Sequence, residues 1–258
     1  MAVSLTDPVF GIDVSHYQVI DWETLAKAPN LSWIYAKATE GKTFKDSDFQ
    51  VNVQSALQLG LPIGAYHYAR PGNNTAAEDA GNFLDSLGRV GGQEALTLRP
   101  MLDFEEANDN VPRGAAAKLW IEEWLARVKE VTGVQPMLYT GPNVLGKLGI
   151  KDLFIPDTVL WVPRYPNNLK QSLSVDSQAI QLYANGNYNV DSRLPNWPTD
   201  IWQYTGHGRI QGIKNDVDMN ITDRDTFARM KTSGGGGMMI AAAAAAAVLL
   251  WILSRKRT

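Results

Sequence analysis

Two carboxylic acids two positions apart, Asp103 and Glu105 in the run Met101-Leu102-Asp103-Phe104-Glu105, carry the most suggestive chemistry in this sequence. On a strand the period of two places both on one face, with Cα atoms roughly 6 to 7 Å apart. Carboxyls that close split their pKa values, so one can hold a proton as a general acid while the other stays charged, the division of labour that glycoside hydrolysis needs. Taken alone, Asp-x-Glu reads more readily as a solvated strand end leading into an acidic loop with Glu106 and Asp109.

Other chemistry-bearing groups gather at the ends of other apolar runs. Asp13 closes the run Gly11-Ile12-Asp13, Tyr35, Lys37 and Glu40 lie in Tyr35-Ala36-Lys37-Ala38-Thr39-Glu40, and Tyr66 and Tyr68 flank His67. Tyr139 ends a fifth run, and Trp202-Gln203-Tyr204 a later one. Rings with polar edges stack on sugar faces while hydrogen-bonding their hydroxyls, so Tyr35, Tyr66, Tyr68, Tyr139, Trp202 and Tyr204, with Lys37 and Glu40, are candidate substrate contacts. His16 and His67 near Asp13 could imitate a metal site, but three or four convergent ligands are not in view, and neither metal nor cofactor is expected.

The elements that must position these groups are short runs rich in β-branched and aromatic residues: 9–15, 33–39, 62–69, 100–105, 136–140, 159–165, 179–183 and 201–205. They read as buried strands. Helical patterns intervene at 46–59, with Phe49, Val53, Ala56 and Leu57 on one face, and at 115–132, with Leu119/Trp120, Trp124/Leu125 and Val128. Thr75 and Glu78 form a capping box for a third helix over 76–87, and Gly60 and Gly133 stand where helix C-caps fall. Strands alternating with helices predict a parallel sheet, and about eight strands predict an irregular (β/α) barrel of the TIM type; the thinning of helices after Thr158 predicts that its last units have lost theirs.

The 258 residues contain no cysteine, so disulfides, thiolate nucleophiles and cysteine-bound metals are excluded. Arg255, Lys256 and Arg257 lie near the C-terminus with no acid beyond Asp225, which leaves 21 cations against 27 acids in the body. An acidic body argues against nucleic acid as partner. The first residues show no basic n-region or apolar h-region, so no secretory signal is read there. The chain divides into a main domain over 1–231, a Gly-rich linker over 232–237, and a hydrophobic tail helix over 238–258 with a basic end. Its uncharged stretch 238–253 would span about 24 Å as a helix, short of the roughly 30 Å hydrocarbon core. A membrane anchor and a helix packed on a virion or other protein component are both open.

The ordered pieces GIDVSHYQ (11–18), YAKATEG (35–41), GAYHYARP (64–71), MLDFE (101–105), MLYTG (137–141), LWVPRY (160–165), IWQYT (201–205) and DVDMN (216–220) resemble the glycoside hydrolase family 25 muramidases, which include phage endolysins and bacterial and fungal lysozymes. The resemblance spans residues 10 to about 222. It implies an irregular barrel and hydrolysis of the β-1,4 bond between N-acetylmuramic acid and N-acetylglucosamine in bacterial peptidoglycan. Position by position it implies Glu105 as general acid/base and Asp103 as its charged partner, orienting the substrate's 2-acetamido group as internal nucleophile with net retention. It further implies Asp13 and Asp218 as two more acids of the site, while Asp216 matches less well. It departs at Val162-Pro163-Arg164-Tyr165, and the stretch 166–200 is longer than usual. A phage lysin or virion-associated lysozyme held by its tail is the expectation; a silent wall-binding module and a hydrolase of another amino-sugar polymer, such as chitin, are the alternatives.

Overall fold

A computed structural model of the chain describes residues 7–106, 108–165, 197 and 199–232. The tail over 238–258, most of the linker and the strand expected over 179–183 lie outside the described residues.

Among the described residues nine strands form one sheet: β1 (Pro8–Val14), β2 (Leu31–Glu40), β3 (Phe44–Lys45), β4 (Ile63–Tyr68), β5 (Met101–Asp103), β6 (Met137–Tyr139), β7 (Leu160–Pro163), β8 (Ile201–Gly208) and β9 (Val217–Asp223). Their order is β1-β9-β8-β7-β6-β5-β4-β2-β3, and β1 also pairs with β2, so eight strands close into a barrel with β3 as a hairpin flap on β2. Pairing from β1 through β2 and β4 to β8 is parallel, as the alternation of strands and helices implies. The expectation of a wholly parallel sheet fails at the seam, where β9 runs antiparallel to both β8 and β1. Only residues 209–216 separate β8 from β9. That is too short for a crossover helix, which parallel neighbours require.

Among the described residues the helices are α1 (Trp22–Leu25), α2 (Phe49–Gln58), α3 (Ala76–Gly88), α4 (Ala115–Thr132), α5 (Pro142–Leu148) and α6 (Arg224–Met230). The capping box forms as spelled: Thr75 accepts from the Glu78 amide at 3.2 Å and Glu78 accepts from the Thr75 amide at 2.9 Å. Gly133 closes α4 with φ of 70°, a left-handed conformation that glycine adopts without penalty. On α4 the buried face is Trp120, Ile121, Trp124, Leu125 and Val128; Leu119, expected there, is 64% exposed, one step of 100° off the stripe.

Strand parity sorts the sheet into two cores. Ile12, Val14, Ile34, Ala36, Leu102, Leu138, Leu160 and Val162 point outward and pack under the helices with Phe83, Ile121 and Trp124. Trp33, Tyr35, Met101, Met137, Tyr139, Trp161 and Ile201 point inward and plug the barrel. Trp161 is the hub of this plug, edge-on to Trp33 at 5.3 Å, Tyr35 at 5.3 Å and Tyr139 at 5.8 Å between ring centroids. Two glycines make room for it. A Cβ on Gly11 would fall 2.0 Å from the Trp33 ring, and one on Gly64 2.4 Å from the Tyr35 ring. Side chains that fill the barrel leave no pore, so a ligand can be met only at the mouth.

Candidate active site

The mouth lies at the C-terminal ends of the parallel strands, where residues of the inward parity emerge above the aromatic plug. Asp13 from β1, Lys37 from β2, Tyr66 and Tyr68 from β4, Asp103 from β5 with Glu105 just beyond it, Tyr139 from β6, Gln203 from β8 and Asp218 from β9 line one cleft of about 250 Å³. Ser15, Tyr17 and Gln18 on the loop after β1, and Tyr165 after β7, complete its walls. Gln18 fastens that loop to its neighbour by donating to the Asp216 carbonyl at 3.1 Å.

Asp13 is the most elaborately held of the acids. Its Oδ2 accepts from Asn220 Nδ2 at 2.9 Å and from Gln203 Nε2 at 3.1 Å. Asn220 is oriented in turn by the Trp161 indole, which donates to its Oδ1 at 2.9 Å. Gln203 Oε1 accepts from Tyr139 at 2.9 Å and from Tyr165 at 2.6 Å. Every polar atom of the Gln203 amide is therefore assigned, and the plug, Asp13 and the cleft wall form one network.

Four buried carboxyls share this space with few cations, and all four are pushed above the usual carboxylate range. Burial is the largest cause for Asp13, offset by hydrogen bonds from Asn220, Gln203 and Asp218. Burial pushes Asp103 well up, with the charges of Glu105 and Asp13 adding to it and Lys37 moderating. Glu105 is raised by burial, against a hydrogen bond from the Tyr68 phenol that favours its charged form. Asp218 is raised to about 9 by burial, the charge of Asp13 and a hydrogen bond to Asp13 in which Asp218 holds the proton. Such groups exchange protons as a set, so a proton is available in the cleft at neutral pH.

Four of the residues expected at a sugar site lie elsewhere. Tyr35 has the inward parity but sits one layer deeper; it is fully buried in the plug, and its hydroxyl donates to the Arg99 carbonyl at 2.9 Å. Trp202 and Tyr204 have the opposite parity and are fully buried under the helices, the Trp202 indole donating to the Arg164 carbonyl at 2.7 Å. Glu40 stands outside the cleft lining and binds Lys37 at 2.6 Å and Arg70. Gln203, Asn220 and Tyr165 are the residues that sequence reasoning missed. A lone polar residue between two large apolar ones on β8, and an Asn two positions after Asp218, were the signals available for the first two.

Other acids and histidines are committed to separate tasks. Asp216 faces outward to His207 at 2.8 Å and Arg209 at 2.5 Å. His16 is bound to Asp46 at 2.7 Å, and His67, wholly buried, lies 3.1 Å from Asp79 and 2.8 Å from the Thr39 hydroxyl. Among the described residues no three or more His, Cys, Asp or Glu side chains gather as a metal site would require.

The profile of Glycosyl hydrolases family 25 matches residues 12–213. Among characterised proteins, Lysozyme M1 of Streptomyces globisporus is 30% identical over 224 residues, covering 83% of this chain and 68% of that protein. Among solved structures, the bacterial lysozyme from Streptomyces coelicolor superposes with a TM-score of 0.63 at 28% identity, covering 87% of this chain and 96% of that one. The Clostridium perfringens spore cortex lytic enzyme SleM superposes with a TM-score of 0.66 at 26% identity, covering 83% of this chain and 67% of that one. A profile match over most of the barrel, together with likeness over nearly all of it, means that this chain belongs to glycosyl hydrolase family 25.

Proposed function

We propose that the chain is a muramidase that hydrolyses the β-1,4 bond between N-acetylmuramic acid and N-acetylglucosamine in peptidoglycan. The observation that carries this reading is the meeting of Asp103 and Glu105 in one cleft, where burial raises the proton affinity of both acids. Glu105, beyond the strand end and less enclosed than Asp103, protonates the glycosidic oxygen as the bond to C1 breaks. The 2-acetamido oxygen attacks C1 from the opposite face and closes an oxazolinium ring. Asp103 has an Oδ1 that is buried without a hydrogen-bond partner in the protein, an acceptor suited to the acetamido N–H. Its negative charge, which burial disfavours, is compensated by the positive charge of the ring. Glu105, now a carboxylate, takes a proton from the water that opens the ring at C1, giving net retention.

Lys37, Tyr66, Tyr68 and Tyr139 form the floor and walls against which the sugar rests, and Asp13 and Asp218 supply a shared proton and negative field behind C1. Digestion of purified peptidoglycan, with the new reducing ends identified, tests the reading. Muramic acid ends are expected. Glucosamine ends would point to a different bond, and absence of any release would move the chain to the wall-binding reading.

We also propose that residues 1–231 are the catalytic unit, with 232–237 a linker to a tail that docks on a membrane or a virion component, as in a phage lysin or virion-associated lysozyme. Its support is the sequence: 238–253 carries no charge and Arg255, Lys256 and Arg257 follow. Among the described residues no helix is long and apolar enough to cross a membrane. Deleting residues 234–258 is expected to abolish sedimentation with vesicles or particles and to leave hydrolysis of soluble wall fragments within twofold of the full chain. Unchanged sedimentation would remove the tail from the account.

A further inference from the structure

Glu105 is not held by the sheet. Strand pairing of β5 ends at Asp103, which pairs with Tyr68 on one side and Tyr139 on the other. Among the described residues the last backbone ties are Ala69 N–H to the Asp103 carbonyl and Phe104 N–H to the Tyr139 carbonyl, both 2.9 Å. A general acid must be held within a fraction of an ångström of its working position, so something after Phe104 has to grip the chain.

The grip is at the next residue. Arg70, just past the end of β4, donates from one guanidinium nitrogen to Glu106 Oε1, and from Nε and the other nitrogen to Glu40 Oε1 at 2.9 and 2.5 Å. Its own backbone is pinned, because Arg70 N–H donates at 3.0 Å to Oδ2 of the wholly buried Asp79. Glu40 is pinned from the other side by Lys37, and both Lys37 and Arg70 stand over the Tyr68 ring, at 5.0 and 4.6 Å from its centroid. Tyr68 is the residue whose phenol hydrogen-bonds Glu105. The Glu106 side chain is only 11% exposed, so its ion pair is poorly screened.

We infer that Arg70 is a positioning residue for the proton donor: its planar fork ties Glu106, and with it the Glu105 segment, to Glu40 on β2. The inference rests on Glu105 being the acid. A fork is required because two carboxylates on different elements must be held at once, which a single ammonium does poorly. The charges also matter. Lys37 and Arg70 balance Glu40 and Glu106 beside Glu105, whose remaining neighbours are Asp103, Asp13 and Asp218 with the neutral Tyr68, Tyr139 and Tyr165. Removing either member of the Arg70–Glu106 pair therefore moves the Glu105 proton affinity in opposite directions.

The test compares Arg70→Gln, Arg70→Lys, Glu106→Gln and the double variant Arg70→Gln/Glu106→Gln as full chains, on a defined peptidoglycan oligosaccharide. Arg70→Gln is expected to lower kcat roughly tenfold to a hundredfold with KM changed by less than about threefold, and Arg70→Lys to fall between it and wild type. Glu106→Gln should lose roughly tenfold, and the double variant no more than Arg70→Gln alone, because both act through one contact. The alkaline limb of kcat/KM, which reports loss of the acid's proton, should move to higher pH in Arg70→Gln and to lower pH in Glu106→Gln. Losses that multiply in the double variant, or alkaline limbs that stay put or move together, would overturn the inference. Should Arg70→Gln fail to fold, Arg70→Lys, which keeps the charge and loses the fork, decides by a lowered kcat with the alkaline limb in place, and Glu106→Gln decides by its limb shift to lower pH. Full activity in Glu105→Gln, run alongside, would instead overturn the reading of Glu105 itself.

Discussion

Glu105→Gln is expected to lower the release of reducing ends from peptidoglycan by roughly 10³-fold, within the 10² to 10⁴ that a general acid contributes, with melting temperature unchanged or slightly raised. Gln has the shape of the protonated acid and still accepts from the Tyr68 phenol, so the cleft keeps its form while the transferable proton is gone. Stability should not fall, because burial already disfavours the charged form of Glu105 and the substitution removes that cost. A substrate with a good leaving group separates the roles. An aryl glycoside whose phenol departs without protonation should recover most of the lost rate in Glu105→Gln, and recover little in Asp103→Asn, where the ring-closing step has lost its charge. If the two variants lose equally on both substrates, the assignment of acid and stabiliser to Glu105 and Asp103 fails.

The barrel was readable because its strands are short apolar runs with turn chemistry between them, and the capping box at Thr75 and Glu78 and the glycine at 133 act locally, within one turn. The antiparallel seam was not: the strands read from the sequence stop at 205, although Val217, Met219 and Ile221 alternate with Asp218, Asn220 and Thr222, and only the brevity of 209–216 shows that β9 must turn back. The misplaced aromatics have two different causes. Trp202 and Tyr204 were placed in the cleft because strands buried on both faces show no polar alternation to tell inside from outside. Only Gln203 between them breaks the pattern, and it is the inward residue, bonded to Asp13. Tyr35 has the correct parity but the wrong depth. Parity can be counted along one strand, whereas depth depends on the register between strands, and here Gly11 and Gly64 on the flanking strands open the space its layer fills. The acids escaped this ambiguity, because four carboxyls cannot be buried inside a barrel except where they meet the mouth.

Asp218 should make the protein less stable as pH rises, and Asp218→Asn should remove that dependence. With its carboxyl at about 9 in the fold, against an ordinary 3.8, the folded chain retains a proton that the unfolded chain gives up. For a raised acid the linkage runs one way: stability falls as pH climbs from the unfolded value near 4 to the folded value near 9, and levels off above it. Asn cannot titrate, yet its Nδ2 can still donate to Asp13 as the protonated carboxyl does. The melting temperature of Asp218→Asn is therefore expected to match wild type near pH 4 and to exceed it increasingly towards pH 9. Because Asp13 takes up part of the shared charge, we expect a gap of the order of 1 to 2 kcal/mol, roughly 2 to 8 °C for a domain of this size. Near neutral pH, where Asp218 is a neutral donor, the Asn variant should lose less than about tenfold in activity, and Asp218→Ala, which strips the donor from Asp13, should lose more. A gap that is the same at every pH would mean that Asp218 is ionised in the fold and that the proton behind C1 resides elsewhere, on Asp13 or Asp103.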